Sequence, residues 1–89
     1  MKVIISVVGR DQVGIIAAIC NSLVEHRVNV LDISQTILQD YFNMIMIVDC
    51  PEEGLVFNEL QESLQSIAKT MGLVVKVQRD ELFKAMHRI

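Results

Sequence analysis

Twice along this chain a strand-like apolar run gives way to apolar residues at helical spacing, and that repeated change of period most constrains the fold. Val3 to Val8 is an apolar run, rich in β-branched residues and bounded by Gly9, the pattern of a strand covered on both faces. Gly9-Arg10-Asp11-Gln12-Val13-Gly14 reads as a turn, with Asp11 placed to cap a helix. Ile16, Ile19, Cys20, Leu23 and Val24 then predict a first helix to about His26. A second strand is predicted from about Asn29 to Gln39. One face carries Leu31, Ile33, Gln35 and Ile37; the other carries Asp32, Ser34, Thr36 and Leu38 and is mostly polar. After a turn at Asp40-Tyr41, the apolar residues of the third strand (Phe42 to Cys50) fall on both faces, which predicts a position inside a sheet.

The second half repeats the scheme. Pro51-Glu52-Glu53-Gly54 ends the strand and sets acidic charge near the next helix start, where the dipole favours it. Phe57, Leu60, Leu64, Ile67 and Met71 step by three and four, and Gly72 follows as a left-handed cap. Leu73 to Val77 predicts a fourth strand. Asp80 is placed to cap a short final helix with Leu82, Phe83, Met86 and Ile89 apolar. The expected organisation is therefore one α+β domain over residues 1–79 and a helical extension over 80–89. Its four-stranded antiparallel sheet carries two right-handed crossovers, which put both helices on one face. The other face is bare, and Ile45 and Ile47 make it adhesive. A chain of 89 residues that is 52% apolar, without a disulfide framework, is expected to hide the excess in a homodimer.

Charge and motifs exclude several classes of function. The net charge is −3 and the eight Lys and Arg residues are scattered, so nucleic-acid binding is not expected. The apolar runs are far short of the roughly 20 residues of a membrane span. The run after Lys2 stops at Gly9-Arg10-Asp11 with no small-residue cleavage site, so the expected location is the cytosol. Cys20 and Cys50 sit in apolar runs without a C-x-x-C spacing and read as small buried hydrophobes. His26 and His87 have no carboxylate or thiol at ligand spacing, so neither metal nor cofactor is expected. No Ser or Cys lies in a nucleophile signature, and no catalytic residue is assigned.

The first strand–loop–helix junction is the strongest candidate site. Unpaired N–H groups at a helix start attract a carboxylate or phosphate, and Gly14 permits close approach to the backbone. Asp11 can serve as a cap or as the acceptor for an ammonium group, so the pair suits a zwitterion; an ordinary capped turn is the simpler reading.

Val7 to Ile16 resembles the opening of the ACT domain, a strand followed by D/N-x-P-G and two hydrophobic residues. Val28-Asn29-Val30 resembles that family's G-x-N-I step. Asp32-Ile33-Ser34-Gln35-Thr36 and Phe83-Lys84-Ala85-Met86 are similar to small stand-alone bacterial ACT proteins of the glycine-cleavage-repressor group. The resemblance implies a ferredoxin-like βαββαβ sandwich and a regulatory, non-catalytic role. It also implies an amino-acid-type ligand held at a domain-pair interface, between the first loop and a neighbour's second strand. The ligand contacts it implies are Asp11 and Gly14 in the loop and Asn29 at the second-strand entry; Ile15 is counted with the loop site, and Ser34 and Gln35 are placed to line an interface site, a solvated strand hydroxyl and amide being the simpler reading. Two positions depart from the pattern. Val13 stands in place of the proline, and Arg27 stands where a glycine closes the first helix, so either Arg27 goes left-handed or the helix ends differently. The competing readings are a protein-interaction module without a ligand and, from element order and Arg10 alone, an acylphosphatase-like enzyme.

Overall fold

The computed structural model describes residues 1–52 and 55–80. The elements are β1 (Lys2–Arg10), α1 (Ile15–Glu25), β2 (Asn29–Leu38), β3 (Tyr41–Asp49), α2 (Val56–Met71) and β4 (Val74–Arg79). They form one antiparallel sheet in the order β2-β3-β1-β4, so the fold is the expected ferredoxin-like βαββαβ arrangement. The final helix proposed from Asp80 onward lies outside the described residues, apart from Asp80 itself.

The core follows from strand alternation. Val3, Ile5 and Val7 of β1 and Met44, Met46 and Val48 of β3 are fully enclosed on the helix side. They meet Ile15, Ile19 and Leu23 of α1 and Leu60, Leu64 and Ala68 of α2. β1 is covered on both faces only in part, because on the helix-free face Ile4 is 6% exposed and Val8 39%. Ile45 on the same face is also exposed, and Ile47 is half-buried.

The inward face of α1 differs from the sequence-based stripe. Ile16 and Val24 point outward and Ser22 points inward, 3% exposed. The Ser22 hydroxyl meets the Ser63 hydroxyl of α2 at 2.7 Å, which satisfies a polar group inside a helix–helix contact. A helix apolar nearly all round does not announce which face turns inward, and this hydrogen bond is invisible until α2 is docked.

α1 ends as a glycine-type cap built on arginine. The Arg27 N–H donates to the Val24 carbonyl at 3.1 Å and the Val28 N–H to the Leu23 carbonyl at 2.8 Å, with Arg27 at φ 56°. Of the two endings open from the sequence, the left-handed arginine is the one adopted, at a backbone cost of about 1–2 kcal/mol. At the end of α2, Gly72 (φ 68°) takes the same conformation without that cost.

β2 departs most from its expected form. Its alternation breaks between Val30 and Asp32, where Leu31 is accommodated by a bulge. Beyond the bulge Ile33, Gln35 and Ile37 lie across from Met46, Met44 and Phe42 on the helix side, while Asp32, Ser34 and Thr36 share the open face with Ile47, Ile45 and Asn43. Every β2 residue is exposed, because β2 is an edge strand beyond the reach of both helices.

Candidate functional site

The loop between β1 and α1 is held from two sides. The Asp11 N–H donates to the Asp40 carbonyl at 2.7 Å, tying the loop to the β2–β3 turn. The Gln12 side-chain amide donates to the Met71 carbonyl at 2.9 Å, and to the Arg10 carbonyl at 3.3 Å, tying the loop to the C-terminus of α2. Below it, β1 runs so close to the α2–β4 connection that a Cβ on Gly9 would lie 2.5 Å from Leu73 Cδ2 and 3.3 Å from Leu73 Cα.

Asp11 is not the cap of α1. That position belongs to Gly14, at φ 95° and ψ 0°, whose carbonyl accepts the Ala18 N–H at 2.9 Å. No side chain caps this end, and the first turn holds no acidic residue. Asp11 precedes the cap position instead of occupying it, so its carboxylate does not bond the first-turn N–H groups and stays exposed beside the turn. The arrangement offers first-turn N–H groups without a side-chain acceptor, a positive dipole end and a nearby carboxylate. An L-residue at position 14 meets no atom within 4 Å but is strained at φ 95°. A valine there would therefore act through backbone strain and not by filling space.

The structure brings Asp11 and Gly14 together and separates them from the strand residues. Ile15 is 2% exposed, so its side chain belongs to the core and only its backbone faces the loop. Asn29 pairs with Asp49 at one end of the sheet, while Leu38 pairs with Tyr41, and Arg10 with Tyr41, at the loop end. Nine strand steps separate Asn29 from Leu38, about 30 Å along β2. Ser34 and Gln35 lie midway on opposite faces. Ser34 joins Asp32, Ile33, Ile45 and Ile47 around a shallow depression of about 190 Å³ on the open side. Within one protomer these six residues are not one site.

Sequence reasoning missed Gln12 and gave Gly9 only a boundary role. Gln12 contacts a residue 59 positions away, so no local pattern carries it. Gly9, a glycine ending an apolar strand, was the one available signal of a close backbone approach. Among the described residues no group of His, Cys, Asp and Glu is arranged to hold a metal ion. None of the described helices is long and apolar enough to cross a membrane.

Sheet order, crossovers and the glycine-capped loop define the class as an ACT-type fold. The ACT domain family model matches residues 2–78, and the chain belongs to the ACT domain family. It is 50% identical over 88 residues to the UPF0237 protein of Bifidobacterium longum, covering 99% of this chain and 98% of that one. The solved ACT domain protein from Streptococcus pneumoniae superposes with a TM-score of 0.79 at 36% identity, covering 98% of both chains. A protein described as a glycine cleavage system transcriptional repressor shares the fold, with a TM-score of 0.78 at 16% identity over 86% of this chain and 44% of its own length.

Proposed function

We propose that this chain is a non-catalytic regulatory module that pairs with itself along β2 and binds a small zwitterion, such as an amino acid, where the pair meets. The observation that carries this reading is the uncovered edge. Val30, Ile33 and Ile37, on the side of the sheet that holds the core, are 37%, 45% and 53% exposed, and β2 has no strand on its outer side. A ten-residue edge with apolar side chains is a template for another strand. A second copy running antiparallel about a two-fold axis continues the sheet and gives these side chains a partner. That axis sets the partner's Asn29 end beside this protomer's Leu38 end, next to the loop of Asp11 and Gly14. The loop residues and Asn29, about 30 Å apart in one chain, then belong to one composite site, while Ser34 and Gln35 stay midway along the paired strands. The Asp11 carboxylate suits the ligand's ammonium, and the first-turn N–H groups suit its carboxylate.

The same reading places the chain in the cytosol, a reducing compartment that suits free Cys20 and Cys50. The acylphosphatase-like alternative gains no support from Arg10, which is exposed at the end of β1. Light scattering of the wild type and of Ile37→Lys tests the pairing: the wild type is expected at the mass of two chains and the variant at one, with unchanged circular dichroism. A thermal-shift series with the twenty L-amino acids tests the ligand. A site at one hundred times its dissociation constant adds about 2.7 kcal/mol. A dimer that no amino acid stabilises would leave the interaction-module reading in its place.

A further inference from the structure

We infer that Gln12 is a positioning residue, a clamp that holds the β1–α1 loop in its ligand-ready shape by binding it to the end of α2. The last carbonyls of a helix lack intrahelical partners. At the end of α2 the Ala68 carbonyl receives the N–H groups of Gly72 and Leu73, and the Met71 carbonyl receives the Gln12 amide at 2.9 Å. The same amide reaches back to the Arg10 carbonyl at 3.3 Å, so one side chain spans the loop's own base and the neighbouring helix end. Val13, between Gln12 and the left-handed Gly14, is fully exposed. Nothing on its side chain therefore holds the loop. The order of this segment comes from the Asp11–Asp40 backbone bond on one flank and from Gln12 on the other.

The chemistry required at position 12 is a donor, since its target is a carbonyl at the negative end of a helix dipole. Gln12→Ala removes the bond, and Gln12→Glu keeps the shape while presenting an acceptor to an acceptor. Gln12→Lys keeps a donor that the dipole favours. The ligand consequence rests on the function proposed above; the clamp itself does not.

Amide hydrogen exchange followed by NMR tests the clamp on the full chain. In Gln12→Ala and Gln12→Glu, exchange at Asp11 and Ala18, whose N–H groups bond the Asp40 and Gly14 carbonyls at the two ends of the loop, is expected to accelerate by roughly two- to tenfold, as for loss of one exposed hydrogen bond. Core amides such as Ile5 and Met44 stay at wild-type rates, and Gln12→Lys retains wild-type loop protection. Unchanged loop exchange in both the Ala and Glu variants overturns the inference. So does a Lys variant as fast as Glu, or acceleration that spreads equally to the core, which marks a general stabilising contact. Titration with whichever L-amino acid stabilises the wild type is expected to show weaker binding by Ala and Glu and wild-type binding by Lys. If none of the twenty stabilises the wild type, the sensor reading fails while the exchange data still decide the clamp.

Discussion

Replacing Gly9 by alanine tests whether the first strand and the α2–β4 connection are packed as closely as the structure has them. Gly9 is not in the left-handed region, so alanine carries no backbone penalty there. By stiffening the unfolded chain it even gains about 0.4–1 kcal/mol. Against this stands the added Cβ, 2.5 Å from Leu73 Cδ2, 3.3 Å from Leu73 Cα and 3.5 Å from the Gly72 carbonyl oxygen. Carbon atoms settle at about 3.5–4.0 Å. The Cδ2 methyl can rotate away only into a core where Leu73 is 7% exposed, and crowding against the Leu73 main chain is relieved only by moving backbone. Overpacking of this kind costs about 1–3 kcal/mol, so the expected net loss is about 1–2 kcal/mol. Leu73→Ala alone costs about 2–4 kcal/mol through lost burial and a cavity. In that background Gly9→Ala is expected to be nearly neutral, because the methyl it met is gone and the gain from a stiffer unfolded chain offsets the milder crowding left against the Leu73 main chain. Urea denaturation followed by far-ultraviolet circular dichroism, at one protomer concentration, measures all four corners of the cycle. A coupling of about 1–2 kcal/mol is expected. If the two costs simply add, the close approach is not there.

Four further outcomes follow from other parts of the fold. Leu64→Ala, at a fully enclosed position on α2, is expected to cost about 2–5 kcal/mol; an unchanged urea midpoint would mean that the helix presents another face to the sheet. Gln39→Gly is expected to stabilise by about 0.5–1 kcal/mol, since Gln39 begins the two-residue β2–β3 turn at φ 57°, a conformation glycine adopts freely. A lowered thermal midpoint would count against the turn geometry. Burial pushes the Cys50 thiol up from its ordinary 9.0, and the nearby Met1 ammonium opposes the shift only in part. The native state thus keeps a proton that the unfolded chain loses, so this group's contribution to stability is complete below about pH 9 and declines as the pH rises further. In the native protein Cys20, half-buried, is expected to react with a thiol reagent well before Cys50; equal rates would refute the burial of Cys50.

Local chemistry was enough for much of this molecule. Alternation in Phe42 to Val48, the three- and four-residue steps from Phe57 to Met71, and the glycine at position 72 specify a strand, a helix and its cap through interactions between near neighbours. Right-handed crossover geometry then leaves few ways to assemble them. The sequence by itself therefore determined the element order and the antiparallel sheet. It did not determine the inward face of α1, because Ser22 turns inward only against Ser63. The bulge at Leu31 escaped it too, since a register depends on the partner strand. Gln12 became visible only when α2 brought Met71 to the loop, and Asn29 proved distant from Asp11 because β2 runs the length of the sheet. Each of these depends on contacts between residues far apart in the chain, and such contacts acquire a geometry only when the tertiary structure closes.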